Sequence, residues 1–175
     1  MKAETGERVL FSERQIGTRV DEVARDIARA PLRPEIAVPI LTGAFVFAAD
    51  LIRALAREGL DIETEFMWLR SYGNSQKPGD VTVLKAPSEI VRGRTVLLLD
   101  GVLDRGLTLA RAHELLDEAG AASVVSAVVV EKAYPSPRLK VDHALFQAGE
   151  EFLYGYGMDR KGLGRGLQDI RIRGG

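Results

Sequence analysis

Cysteine is missing from all 175 residues of the sequence. This absence excludes disulfide bonds, thiolate metal sites and a thiol nucleophile. No apolar run approaches the ~20 residues that cross a bilayer, and the polar stretch from Met1 to Arg8 lacks the core of a signal peptide. The formal net charge is −1, so the whole molecule has no field that attracts nucleic acid or an anionic membrane. We therefore expect a cytoplasmic protein without nucleic-acid or membrane partners, in which any site for a phosphorylated ligand is local.

The composition is that of an ordinary globular protein. Hydrophobic residues make up 46% and charged residues 28% of the chain, close to the averages for folded domains. A chain of this length suits one domain with one sizeable core. We therefore expect residues 1–175 to fold as a single domain.

Short apolar runs alternate with amphipathic segments along most of the chain. We predict helices over 13–30, 44–57 and 108–119, and strands over 36–41, 62–69, 81–84, 96–99 and 123–130. In the second helix we expect Phe45, Ala48, Ala49, Ile52 and Leu55 to face inward. Alternating strands and helices predict an α/β fold with a mostly parallel central sheet flanked by helices.

Two local signals refine this prediction. Ser12 and Gln15 have the spacing of a capping box at the start of the first helix. The polar segment 70–80, with two glycines and a proline, is typical of a mobile loop.

The segment after the apolar run 96–99 carries the most chemistry. Ligands of open α/β sheets bind at the carboxyl ends of the strands. Here Asp100 is placed to accept hydrogen bonds from sugar hydroxyls, and a turn containing Gly101 and Gly106 leads into a helix. The N–H groups of residues 104–108 can converge on a phosphate, with help from the Thr108 hydroxyl and the charge of Arg105.

The same stretch resembles the ribose-phosphate-binding signature of type I phosphoribosyltransferases, and the chain most resembles their hypoxanthine-guanine branch. The similarity extends through almost the whole sequence. The matching motifs are Val9-Leu10-Phe11-Ser12, Leu41-Thr42-Gly43-Ala44-Phe45, Ser71-Tyr72-Gly73, the 96–108 signature, Lys132, 152–159 and Arg165. This resemblance implies a type I phosphoribosyltransferase fold with a small hood, formed by the N-terminal segment and roughly residues 141–175.

The resemblance also implies a reaction, the transfer of a 5-phosphoribosyl group from 5-phosphoribosyl 1-diphosphate to a 6-oxopurine. Asp104 would be the general base and acid at N7 of the purine. Lys132 would donate to O6, Phe152 would stack on the base, and the backbone at Leu153 would meet its Watson–Crick edge. The residues implied to hold the phosphoribosyl group are Asp100, Gly101, Arg105, Gly106, Leu107 and Thr108.

The remaining implied roles concern diphosphate, metal and subunits. Thr42, Gly43 and Arg165 would bind diphosphate, and Ser71 and Tyr72 would lie on a loop that closes over the site. Mg²⁺ would be bound by Asp100 and Asp159, because it takes one or two carboxylates together with phosphate oxygens. The resemblance implies a homodimer or homotetramer associated through the segments 44–55 and 66–70.

The sequence departs from the family pattern at three positions. Gly101 stands where a second acid is usual, Arg105 is bulky for a tight phosphate loop, and Thr42 replaces a frequent lysine. An alternative function is therefore a catalytically impaired homologue that senses nucleotides and regulates another process. A dinucleotide-binding domain is disfavoured, because no Gly-x-Gly-x-x-Gly follows a first strand. The preference among hypoxanthine, guanine and xanthine is open.

Overall fold

Buried apolar strands form the centre of the molecule. The computed structural model describes residues 6–71, 81–133 and 139–173. In chain order, the elements of these residues are β1 (Glu7–Phe11), α1 (Glu13–Arg29), β2 (Ile36–Leu41), α2 (Phe45–Arg57), β3 (Glu63–Thr64), β4 (Met67–Ser71), β5 (Val81–Lys85), a 3-10 turn (Glu89–Val91), β6 (Thr95–Leu103), α3 (Leu107–Glu118), β7 (Ser123–Lys132), β8 (His143–Ala148), β9 (Leu153–Tyr154) and β10 (Ile170–Arg173).

The large sheet has the strand order β5-β4-β2-β6-β7-β8, with β3 also paired to β2. All its pairs are parallel except that of β4 with β5. The predicted α/β class with a mostly parallel sheet is therefore confirmed. The single predicted strand over 62–69 is wrong in detail, because β3 and β4 are separate strands that both pair with β2.

Helices cover both faces of this sheet. Alternate residues of β6 point to opposite sides, so Leu97 and Leu99 pack in a core with α1 and α2. Val96 and Leu98 pack in a second core with α3. A strand buried on both faces explains the continuous apolar run in its sequence.

Helix α1 begins as its sequence predicts. The Ser12 hydroxyl accepts a hydrogen bond from the Gln15 N–H at 3.4 Å, and the Gln15 side chain accepts one from the Ser12 N–H at 2.9 Å. The capping box is therefore confirmed. None of the helices in the described ranges is both long and apolar enough to cross a membrane.

The predicted inner face of α2 is only partly correct. Phe47 and Leu51 are fully buried, whereas Phe45 is 45% exposed and Ala49 is also exposed. Apolar residues surround most of this helix, so periodicity alone does not fix which side meets the sheet. Packing against the cores selects a face about one residue away from the predicted one.

A small antiparallel sheet, the hood, joins the two ends of the chain. Its strand order is β1-β10-β9, and β1 pairs with β10 from Glu7↔Arg173 to Phe11↔Ile170. The strand β1 was not predicted, because its mostly exposed residues show no clear alternation. Strand β8 belongs to the large sheet, so the hood takes only the part of segment 141–175 that begins at Leu153.

Candidate active site

Strand β6 extends past its neighbour β2 at the carboxyl edge of the sheet, so that residues 100–103 project beyond β2 as a shelf. Pairing with β2 ends at Pro39↔Leu99, whereas pairing with β7 continues to Leu103↔Glu131. The predicted turn at Gly101 is therefore wrong, because hydrogen bonding to β7 keeps residues 100–103 extended. The chain turns only at residues 104–106.

Asp100 is at the start of this shelf. Its carboxylate accepts a hydrogen bond from the N–H of Gly101 at 2.7 Å. Burial raises the pKa of Asp100 from 3.8 to about 7, although the hydrogen bond from Gly101 opposes this rise. The structure therefore holds the side chain in surroundings where its charge is costly.

The turn after β6 leads directly into α3. Gly106 caps this helix in the left-handed conformation with φ of 79°, which glycine adopts without strain. Among the residues that the structure describes, no side chain caps the helix, so the N–H groups of its first turn are available to an anion. Arg105 and Leu107 are exposed, and Thr108 is half-buried.

Lys132 ends the neighbouring strand β7 and comes close to the turn. Its ammonium nitrogen is 3.6 Å from Oδ2 of Asp104, and its side chain is only 10% exposed against 50% for Asp104. A largely buried lysine is unusual outside a site with a partner. The two side chains predicted to contact the base are thus brought together, Asp104 from the turn after β6 and Lys132 from the end of β7.

A cavity of about 620 Å³ opens at this edge of the sheet. The predicted residues that line it are Thr42, Gly43, Asp100, Gly101, Thr108, Phe152, Asp159 and Arg165. Among the described residues, the predicted site residues that do not line this cavity are Asp104, Arg105, Gly106, Leu107, Lys132 and Leu153. Ser71 is the last residue of β4, and Tyr72 lies outside the described residues.

Asp159 and Arg165 form the hood side of the cavity. Nη2 of Arg165 donates to Oδ1 of Asp159 at 2.7 Å, and Nη1 donates to the Gly157 carbonyl at 2.7 Å. The N–H of Gly162 donates to the other Asp159 oxygen at 2.6 Å. The guanidinium therefore ties the loop after β9 together as well as facing the cavity.

The comparisons with known proteins agree with this geometry. The phosphoribosyl transferase domain family matches residues 10–159. The chain is 34% identical to the hypoxanthine-guanine phosphoribosyltransferases of Aquifex aeolicus and Bacillus subtilis, over 93% and 95% of its length and 92% of each relative. The chain belongs to the phosphoribosyltransferase family.

Solved phosphoribosyltransferase structures share the whole fold. The hypoxanthine phosphoribosyltransferase from Trypanosoma cruzi in complex with the product IMP superimposes with a TM-score of 0.85 at 31% identity, covering 99% of this chain and 97% of that one. The hood and the mostly parallel sheet are therefore family features in this phosphoribosyltransferase.

Three glycines bring the turn after β2, strand β6 and the loop after β9 into backbone contact. A Cβ atom at Gly101 would be 3.2 Å from the Gly43 carbonyl oxygen, and one at Gly157 would be 2.6 Å from the same atom. The missing acid at position 101 therefore coincides with a tight contact between backbones.

Trp68 and Arg70 line the cavity but were not predicted as site residues. Arg70 was assigned to the mobile loop, which is wrong because β4 continues to Ser71 and pairs with β5. In the structure, buried Met67 and Leu69 alternate with exposed Trp68 and Arg70, as expected of a strand. Because Trp68 is apolar, this alternation is not visible in the sequence.

Proposed function

We propose that this phosphoribosyltransferase serves purine salvage by transferring the 5-phosphoribosyl group from 5-phosphoribosyl 1-diphosphate to a 6-oxopurine, hypoxanthine or guanine. A bond forms between a purine nitrogen and the anomeric carbon, and the bond from that carbon to diphosphate breaks. The observation that carries the proposal is the proximity of Lys132 and Asp104, 3.6 Å apart beside the phosphate-binding turn.

Asp104 and Lys132 contact different atoms of the base. The Asp104 carboxylate takes the proton from N7 as the purine attacks. The Lys132 ammonium donates to O6, which adenine lacks. An ammonium facing the amino group of adenine leaves both donors unpaired, a mismatch that costs ~1–3 kcal/mol.

Phe152 and Leu153 complete the base site. Phe152 lines the cavity and is 56% exposed, so its ring is available to stack on a purine. Leu153 is buried and its backbone is fixed by pairing with Ile172. A fixed backbone gives the base edge a defined set of hydrogen-bonding groups.

The phosphates are bound at two turns. The 5′-phosphate is surrounded by Arg105 and Gly106 before α3 and by Leu107 and Thr108 in its first turn, where unpaired N–H groups favour an anion. The turn at Thr42 and Gly43 presents N–H groups to diphosphate on the other side of the cavity, together with Arg165.

Mg²⁺ fits the carboxylates of the cavity when substrate supplies the other ligands. The described residues contain no cluster of three acidic, histidine or cysteine side chains that would hold a metal alone. Asp100 and Asp159 both line the cavity, and Mg²⁺ takes one or two carboxylates plus phosphate oxygens. When bound, the ion neutralises charge on the departing diphosphate.

Water must be kept from the reacting sugar, because a transition state with oxocarbenium character hydrolyses when exposed. Ser71 and Tyr72 belong to the segment that we propose closes over the cavity.

We also propose that copies of the chain associate as a homodimer or homotetramer through segments 44–55 and 66–70. Phe45 and Phe66 in these segments are 45% and 42% exposed. Large exposed apolar side chains are the kind of residue that a subunit interface covers.

The activity is tested by mixing the protein, Mg²⁺ and 5-phosphoribosyl 1-diphosphate with hypoxanthine, guanine, xanthine or adenine and following nucleotide formation by absorbance. We expect turnover of oxopurines but not of adenine. Asp104→Asn should lower kcat by about 10²–10⁴-fold, the usual contribution of a general base. Asp26→Asn, at an exposed position of α1, is the matched control and should leave kcat unchanged.

A folded protein without turnover on any base would contradict this function. The second candidate, a nucleotide-sensing regulator, would then be favoured by Gly101 in place of an acid. Binding of the nucleotide product with no catalysis would identify it.

A further inference from the structure

Arg70 lies on a paired strand at the edge of the cavity. It lies in β4, where its backbone pairs with Thr82 of β5. Met67 and Leu69 of the same strand point into the core, so Trp68 and Arg70 point to the other side. Trp68 and Arg70 both line the cavity, as does Leu69 between them.

The register of the sheet places Arg70 beside the turn at Thr42. Strands β2 and β4 run parallel with Leu41 opposite Trp68. Strand β2 ends at Leu41, whereas β4 continues to Ser71. Arg70 is therefore two residues beyond the last paired position, level with the turn that follows β2.

The cationic side chains at the cavity differ in whether other groups of the protein already bind them. Among the described residues, the cations that line the cavity are Arg70 and Arg165. The guanidinium of Arg165 is engaged by Asp159 and the Gly157 carbonyl. Within the ranges 6–71, 81–133 and 139–173, no hydrogen bond or ion pair engages the Arg70 side chain, and the adjacent Thr42 brings no charge.

We propose that Arg70 binds the diphosphate group of the substrate, together with the backbone N–H groups of the Thr42–Gly43 turn. The inference rests on the function proposed above and adds a residue to its site. A guanidinium presents two parallel N–H donors to a phosphate, which a single ammonium cannot do. Strand pairing fixes the backbone from which that fork extends, so less main-chain freedom is lost on binding than at a loop position.

The test is a calorimetric titration of the protein with inorganic diphosphate in the presence of Mg²⁺. We expect Arg70→Gln to raise the Kd about 10–100-fold, the usual effect of losing a charge-assisted pair. Arg70→Lys should recover part of the affinity, because it keeps the charge without the fork. Arg14→Gln, which removes the same charge at an exposed position of α1, should bind as the wild type does.

Steady-state kinetics give a second measurement on the same variants. Arg70→Gln should raise the KM for 5-phosphoribosyl 1-diphosphate and leave the KM for the base unchanged. Wild-type turnover combined with unaltered diphosphate binding by Arg70→Gln would overturn the role of Arg70 and leave the proposed function intact. A wild type that neither binds diphosphate nor turns over would overturn both.

Discussion

Asp100 is proposed to bind substrate and metal, and its ionisation lowers the stability of the free protein. Burial raises its pKa to about 7, so the folded chain holds a proton more tightly than the unfolded chain does. The free energy of unfolding therefore falls as the pH rises from 3.8 towards about 7, because over this range the side chain ionises in the unfolded chain but not in the folded one. Binding residues often carry such a cost, because the ligand supplies the missing compensation.

We expect Asp100→Asn to become more stable relative to the wild type as the pH rises. The asparagine never ionises, so the difference in the free energy of unfolding should widen by about 2–3 kcal/mol between pH 5 and pH 8. Urea unfolding at several pH values measures it, with the exposed Asp26→Asn as control. A difference that stays constant over this range would contradict the burial of the charge.

At the scale of the element, the start of α1 shows how a local signal decides structure. Ser12 and Gln15 exchange hydrogen bonds at the first turn, and each satisfies a backbone N–H that the helix leaves unpaired. The information for this contact lies within four residues, so the sequence was sufficient to predict it.

Removal of the cap should weaken the fold by a measurable amount. Ser12→Ala should lower the free energy of unfolding by about 1 kcal/mol, as measured by urea denaturation. Thr18→Ala is the control, because the Thr18 hydroxyl donates to the Arg14 carbonyl within the helix and alanine is the better helix former. Equal losses in the two variants would show that the capping box contributes nothing specific.

The elements that were predicted less well depend on distant partners. The length of β6 follows from its pairing with β7 up to Leu103↔Glu131, and β1 exists because β10 pairs with it. The face of α2 depends on what packs beneath it. In the candidate site, Asp104 and Lys132 were named through motif resemblance, whereas the position of Arg70 at the cavity follows from the register of β4.

For the whole molecule, the proposed self-association depends on exposed apolar side chains. Phe66 precedes β4 and is 42% exposed. A glutamate placed in an apolar interface is costly to desolvate, so Phe66→Glu should shift the protein towards monomers.

Analytical ultracentrifugation over a range of concentrations measures that shift. Leu32→Glu is the control, because Leu32 is also exposed but lies outside the proposed interface segments. A wild-type protein that stays monomeric at all concentrations, or a Phe66→Glu variant that associates as before, would contradict the interface.

The contact between the backbones of Gly43, Gly101 and Gly157 has a consequence for mutation at position 101. Each glycine comes from a different part of the chain, and a side chain at position 101 would require the Gly43 carbonyl to give by a few tenths of an ångström. A single mutation that places an acid at position 101 would therefore displace the Gly43 backbone as well as add a charge. The effect of that substitution depends on the residues already present at the contact.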